Sequence, residues 1–163
     1  MTSQESQQLN LVEEPSSEQA ECVQYLTFMM AEEEYGIEIL AVQEIRGWEP
    51  MTVIPNSPAF VKGVLNLRGT VVPVVDLRLR FQLSTVDYSE VTVVVIVKVC
   101  IEEAEKIMGI VVDAVSDVYN LDKGVVTRAP DVGETTNKPF IEGLIQVSDK
   151  MVVLLDLEKI LDF

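Results

Sequence analysis

The sequence predicts a mainly β protein made of two small five-stranded barrels that pack on each other. Short segments rich in valine and isoleucine alternate with glycine, proline, asparagine and aspartate, a pattern typical of sandwiches and barrels. Much of the chain also occurs twice, because residues 63–77 align without a gap on 143–157, and residues 36–45 align on 109–118. A barrel of this size is barely stable alone, so we expect the two copies to share an interface.

The elements follow the same order in both copies. We predict a disordered acidic tail over residues 1–21, which lack aromatic residues and are rich in glutamine, serine and glutamate. A single domain then covers 22–163, with a first barrel at about 22–86, a second at about 87–155 and a short helix within 156–163. The predicted strands are 22–30, 35–40, 64–67, 71–75, 91–101, 107–112, 144–147 and 151–155.

Three short helical pieces are predicted at 39–45, 77–81 and 157–161. Asp76 and Asp156 precede the last two and make good N-caps, since a carboxylate accepts hydrogen bonds from the free amides of a first helical turn. Both aspartates, and the glycines Gly63 and Gly143 at equivalent places in the two copies, are predicted to have structural roles.

Composition excludes several classes of function. The 163-residue chain has a formal net charge of −15 and no basic residue before Arg46, so a nucleic acid partner is not expected. The longest apolar run, residues 91–101, contains Lys98 and falls short of the roughly 20 residues that span a bilayer, so no direct membrane insertion is expected. Cys22 and Cys100 show no disulfide framework, which together with the polar amino terminus indicates a cytoplasmic protein with reduced thiols.

Differences between the two copies are candidates for function. At the tip of the hairpin within residues 63–77, Arg68 aligns with Ser148 and Gly69 aligns with Asp149. A tight turn requires residues such as asparagine and glycine, which tolerate unusual backbone angles, and it does not require an arginine. We therefore assign Gly69 to the turn and regard Arg68 as a candidate binding residue.

Residues 35–81, YGIEILAVQEIRGWEPMTVIPNSPAFVKGVLNLRGTVVPVVDLRLRF, together with GIVVDAVSDV at 109–118, resemble the CheW family of bacterial chemotaxis coupling proteins. The specific signature is NLRG-x-x-x-P-V-x-D-L-R, and the similarity runs from about residue 23 to the carboxyl terminus. The resemblance implies two SH3-like five-stranded barrels, no catalytic activity and no cofactor. It implies two partners, the cytoplasmic tip of methyl-accepting chemoreceptors and the regulatory domain of the chemotaxis histidine kinase, with recruitment to membrane-associated receptor arrays.

The resemblance also implies site residues. Arg68, Glu44 and Val42 match positions at or beside the receptor-binding surface of the family, and Val93, Val115 and Val118 match second-barrel positions that help to form a groove. We expect Glu44 to hold the Arg68 guanidinium by a bidentate pair. An apolar groove of this kind suits a helical receptor tip. The segment 100–109 is longer and more acidic than is usual in the family.

Other interpretations stay open at this point. Each valine is typical of a core position, and Arg68 and Glu44 have the alternative of being solvated surface charges. A small-molecule-binding or regulatory β-barrel without a kinase partner is the alternative function, although barrels of this size are usually filled by side chains.

An enzyme is disfavoured. The chain contains no histidine, neither cysteine has a base partner, and no metal-ligand or phosphate-binding motif is visible. The pair Asp76 and Asp156 superficially resembles an acid-protease dyad, but both residues precede a leucine and a predicted helix, which favours capping. We expect no catalytic residue and no metal site.

Overall fold

The computed structural model describes residues 22–83, 87–128 and 138–163. The predicted disordered tail, 1–21, lies outside these residues. Ten strands account for most of the fold: β1 Cys22–Met30, β2 Glu33–Glu38, β3 Val42–Gly47, β4 Val61–Leu67, β5 Thr70–Asp76, β6 Val93–Ile101, β7 Ala104–Val112, β8 Ala114–Asp122, β9 Ile141–Val147 and β10 Lys150–Leu155. The helices are α1 Leu77–Arg80 and α2 Leu157–Ile160, with 3-10 turns at Ile39–Ala41, Lys123–Val125 and Lys138–Phe140. Within the described ranges, no helix has the length and apolar character needed to cross a membrane.

The strands form two curled five-stranded sheets. The first sheet has the order β8-β1-β2-β10-β9, and the second has the order β3-β6-β7-β5-β4. In each sheet one pairing is parallel, β2 with β10 and β5 with β7, and the others are antiparallel. The predicted fold class, mainly β with two five-stranded barrels and a few short helices, is confirmed.

The predicted boundary between barrels near residue 86 is wrong. Each sheet takes strands from both copies of the repeat: β1 and β2 join β8, β9 and β10, while β6 and β7 join β3, β4 and β5. The cause is the connector after the second strand of each copy, Ile39–Ala41 in one and Asp113 in the other, which crosses to the other sheet. The third strand of each copy therefore pairs with the first strand of the opposite copy.

Two strands differ from their prediction for one shared reason. The helix predicted at 39–45 is a 3-10 turn followed by β3, and the equivalent β8 was not predicted as a strand. Both lie at a sheet edge, and each has two consecutive polar residues between apolar ones, as in AVQEI and AVSDV, where a β-bulge breaks the strict alternation of a strand. An edge strand needs only one half-buried face, so its sequence lacks the continuous apolar run that marks the central strands.

The core has three parts. One cluster lies against the second sheet and includes Val94 and Ile96, and a smaller one lies against the first sheet and includes Tyr25 and Ile145. The largest cluster draws residues from both sheets and includes Val95 of β6. Because alternate residues of a strand face opposite sides, β6 is buried on both faces. This double burial explains its unbroken valine and isoleucine run.

The predicted structural glycines lie where two backbones approach closely. A Cβ on Gly63 would come within 2.3 Å of the Thr52 carbonyl oxygen, and one on Gly143 would come within 2.8 Å of the Thr127 carbonyl oxygen. Each glycine adjoins a short bridge, Thr52 with Val64 and Thr127 with Leu144. The same bridge in both copies explains why both copies carry glycine there.

The two aspartates cap their helices. Asp76 accepts a hydrogen bond from the Arg78 amide at 2.9 Å, and Asp156 accepts one from the Lys159 amide at 3.3 Å. Asp76 is nearly buried and its second oxygen accepts a hydrogen bond from the Tyr88 hydroxyl at 2.5 Å. Burial is the main cause that raises the pKa of Tyr88, and this hydrogen bond raises it further.

Candidate functional site

Arg68 occupies the β4–β5 turn in a left-handed backbone conformation, with φ of 51°, and is followed by Gly69 with φ of 89°. The Asn66 side-chain oxygen accepts a hydrogen bond from the Gly69 amide at 2.8 Å and closes the turn. Its counterpart Ser148 has φ of 56°. The backbone conformation therefore belongs to the hairpin in both copies, and the guanidinium belongs only to the first copy.

A chain of ion pairs leads away from this turn. Arg68 Nη2 donates to Glu44 Oε1 at 3.1 Å, Arg46 Nη1 donates to Glu44 Oε2 at 3.3 Å, and Arg46 Nη2 donates to Glu49 Oε2 at 3.0 Å. The hydrogen bond to Glu49 is the main cause that raises the pKa of Arg46. The expected contact between Glu44 and Arg68 is present, but the expectation of a bidentate pair is wrong, because the carboxylate serves two arginines.

The Glu44–Arg68 ion pair joins the two edges of the second sheet. Glu44 lies on β3 at one edge, and Arg68 follows β4 at the other. Thr52, in the loop after β3, also bonds to the β4 edge: its amide donates to the Val64 carbonyl, and the Val64 amide donates to the Thr52 carbonyl. The Arg68 side chain remains 75% exposed, so the ion pair orients the guanidinium without removing it from solvent.

Three of the predicted valines border the core cluster that joins the sheets. Val42, Val93 and Val115 are half-buried and pack against this cluster. Val118 is 44% exposed. The alternative interpretation, that these valines are core residues, is therefore partly correct for Val42, Val93 and Val115.

The assignment of Val93, Val115 and Val118 to one barrel is wrong. Val93 lies opposite Gly47 in the second sheet, whereas Val115 and Val118 lie on β8 of the first sheet. The strand exchange places β8 in the first sheet although it follows β7 in the chain. The predicted residues therefore come from both sheets.

Sequence reasoning missed Ile45. It lies on β3 beside Glu44 and is 44% exposed, the same fraction as its repeat counterpart Val118. The alignment of 36–45 on 109–118 pairs these two residues, so the repeat held the signal that would have found it. We use the name hairpin face for the candidate set Val42, Glu44, Ile45, Arg68, Val93, Val115 and Val118. Within it, Ile45 pairs with Val95 and Glu44 pairs with Ile96, so the side chains of Ile45 and Glu44 point to opposite sides of β3.

The described part of the chain contains no group of three or more acidic, cysteine or histidine residues arranged to hold a metal ion. Cys22 and Cys100 are both exposed free thiols.

Comparison with known proteins identifies the family. The CheW-like domain family matches residues 24–163. The chain belongs to the CheW family. It is 44% identical over 138 residues to the chemotaxis protein CheW of Klebsiella aerogenes, covering 85% of this chain and 81% of the relative. It is 33% identical over 133 residues to a probable chemotaxis protein CheW of Rhizobium etli, covering 82% of this chain and 83% of the relative.

A solved structure agrees with this assignment. The scaffolding protein TtCheW of Thermoanaerobacter tengcongensis superposes with a TM-score of 0.77 at 33% identity, covering 86% of this chain and 88% of the other. As a CheW family member, the chain is a chemotaxis coupling adaptor, and the alternative of a small-molecule-binding barrel is not favoured.

Proposed function

We propose that this CheW family protein links the cytoplasmic tip of methyl-accepting chemoreceptors to the regulatory domain of the chemotaxis histidine kinase, and that it does so without catalysis. It would act in the cytoplasm and be recruited to membrane-associated receptor arrays. The observation that carries the proposal is an exposed arginine, Arg68, that Glu44 orients at a sheet edge in a protein of this family.

The hairpin face suits a helical receptor tip. Its valines and Ile45 supply apolar area of intermediate to high exposure, and Glu44 with Arg68 supplies both charge signs at the border. An amphipathic helix would bury its apolar stripe against the aliphatic side chains. Charges at the rim of an interface set orientation and association rate more than affinity, and we assign that role to Arg68 and Glu44.

An adaptor needs a second surface for the kinase. The family resemblance implies a contact between barrel ends, and we propose that this contact lies away from the hairpin face. The acidic composition of the chain, with a net charge of −15, favours solubility of the free protein.

The test is a heteronuclear NMR titration with two unlabelled partners, a soluble receptor-tip fragment and the isolated kinase regulatory domain. The labelled proteins are the wild type, Arg68→Glu and the control Lys106→Glu, which makes the same charge change at an exposed residue of β7. We expect the wild type and the control to bind both partners, with separate sets of shifted amides. Arg68→Glu should lose only the receptor fragment.

Two results would count against the proposal. If neither partner shifts any resonance, the family membership does not carry this coupling role. If both variants weaken receptor binding equally, Arg68 acts only through net charge and the hairpin face is wrongly assigned.

A further inference from the structure

The two copies of the repeat carry side chains of opposite charge at the start of their short helices. The second residue of α1 is Arg78, and the second residue of α2 is Glu158. In the crossing connectors, Asp113 of the second copy aligns with Leu40 of the first. An arginine and an aspartate at one place thus correspond to a glutamate and a leucine at the other.

At the first place the arginine is enclosed. Arg78 Nε donates to Asp113 Oδ1 at 2.8 Å, and Arg78 Nη2 donates to Asp113 Oδ2. The Ala31 amide, at the β1–β2 turn, also donates to Asp113 Oδ2 at 3.0 Å. The Arg78 side chain is only 11% exposed. The frame formed by a helix start, a connector and a hairpin therefore accommodates a guanidinium.

At the equivalent place in the other copy, the start of α2, the connector before β3 and the β6–β7 hairpin border an open groove of about 440 Å³. Its apolar floor includes Ile37, Val99 and Leu155, all buried. The register of the hairpins shows that the frame is equivalent, because Thr27 faces Gly36 in one and Ile96 faces Gly109 in the other. Lys98 to Cys100 thus correspond to Met29 to Ala31.

Carboxylates surround this groove. Glu38, Glu105 and Glu158 line it. Among the described residues, its one basic lining residue is Lys98, whose Nζ lies 3.9 Å from Glu105 Oε1. Leu40, which replaces the clamping aspartate, is 85% exposed. The second hairpin also continues through the pairs Cys100 with Glu105 and Ile101 with Ala104, beyond the point where the first hairpin turns. This extension forms one wall of the groove.

We propose that this groove binds an arginine side chain of a partner protein, in the position that Arg78 fills at the equivalent place. Charge complementarity supports the choice of a cation, since the groove is lined by more carboxylates than bases. A guanidinium is favoured over an ammonium because its planar fork engages carboxylates and stacks on apolar surface. An apolar residue next to the arginine would cover Leu40. The groove shares no residue with the hairpin face, although its lining residue Ala41 directly precedes Val42.

The test uses two small probes, acetyl-Leu-Arg-amide and the matched acetyl-Leu-citrulline-amide, which lacks the charge. Each is titrated into the labelled full-length protein at low salt, and amide shifts are followed. We expect saturable shifts at Leu40, Ala41 and Glu158 with the arginine probe only. Equal shifts with citrulline would overturn the proposal, and so would equal shifts at the same amides with potassium or magnesium ions.

Three variants sharpen the result. Glu158→Gln should weaken the arginine probe roughly twofold to fivefold, as expected for an exposed ion pair. Glu103→Gln, at the hairpin tip outside the groove, should have no effect. The double variant Leu40→Asp with Glu158→Arg rebuilds the internal clamp, and it should close the groove and abolish the shifts.

Circular dichroism and thermal unfolding establish whether each variant is folded. Unchanged binding in the folded double variant would show that the probe lies elsewhere and would overturn the proposal. If the double variant does not fold, Glu158→Gln against Glu103→Gln decides alone, and equal binding by those two would also overturn it.

Discussion

The Glu44 carboxylate divides its oxygens, giving one to Arg68 and the other to Arg46. Arg46 is further held by Glu49, whereas Arg68 has only the one bond to Glu44 among the described residues. Arg68 is thus the exposed end of the network, oriented by one bond and with the rest of its guanidinium free for a ligand. Glu44 is the residue that fixes its direction.

Arg68→Ala should leave the fold intact and weaken binding of the receptor-tip fragment. The side chain is 75% exposed, so its ion pair contributes at most about 1 kcal/mol to the free energy of unfolding. Urea unfolding followed by circular dichroism measures the stability, and calorimetry measures the binding. Loss of the folded signal would show instead that Arg68 is a structural residue.

Glu44→Gln and Arg68→Ala should show coupled, non-additive losses in receptor binding. The two side chains meet at 3.1 Å, and residues in contact couple by about 0.5 kcal/mol or more. A double-mutant cycle on the dissociation constant measures this coupling. Arg46→Ala with Arg68→Ala is a useful second cycle, since those residues touch only through Glu44. Purely additive losses for Glu44 and Arg68 would rule the pairing out as a binding determinant.

Gly63→Ala and Gly143→Ala should destabilise the protein by roughly 1–3 kcal/mol or more, because each new Cβ would overlap a backbone carbonyl. Gly47→Ala is the matched control, since a Cβ there meets nothing within 4 Å. Urea midpoints at constant m-value report the change. Equal midpoints for Gly63→Ala and Gly47→Ala would contradict the close approach seen here.

The Arg78–Asp113 pair should make stability depend on acid pH. Burial tends to raise the pKa of Asp113, but hydrogen bonds from Arg78 and the Ala31 amide outweigh burial and leave this pKa lowered. A carboxyl with a lowered folded-state pKa stabilises the protein above its unfolded pKa of about 3.9, and this contribution is lost as the pH falls.

Urea unfolding between pH 7 and pH 3 measures this dependence, with Asp113→Asn as the variant. The variant should cost about 1–3 kcal/mol at pH 7, because it removes a partly buried charge partner of Arg78. Its stability should also fall less on acidification than that of the wild type. A wild type and variant with parallel pH profiles would show that Asp113 titrates normally.

Much of the architecture could be predicted because central strands and turns leave local signals. The doubly buried β6 has an uninterrupted apolar run, and the caps at Asp76 and Asp156 lie where the sequence places them. The edge strands β3 and β8 carry weaker patterns, and these predict a helix for β3 and no strand for β8. Strand exchange leaves no mark in a repeat, since both copies keep the same order of elements whichever sheet they join.

Part of the candidate site could also be predicted from the sequence. Arg68 stood out because its counterpart is Ser148, and the family resemblance supplied Glu44 and the valines. The sharing of Glu44 with Arg46 depends on side-chain rotamers two residues apart on an edge strand, which no sequence pattern specifies. The exposure of Ile45 depends on β3 being a strand, which the sequence does not predict.

The exchange of strands also has a consequence for synthesis on the ribosome. When the first copy has emerged, β1 and β2 lack three of their sheet neighbours, and β3, β4 and β5 lack the two central strands that would join them. The second sheet has all its strands once β7 has emerged, whereas the first sheet also needs β9 and β10 and cannot be completed until residues near 155 leave the exit tunnel. The strands β1 and β2 therefore wait longest with unpaired edges, and unpaired edges are the part of a folding intermediate that is most prone to aggregate.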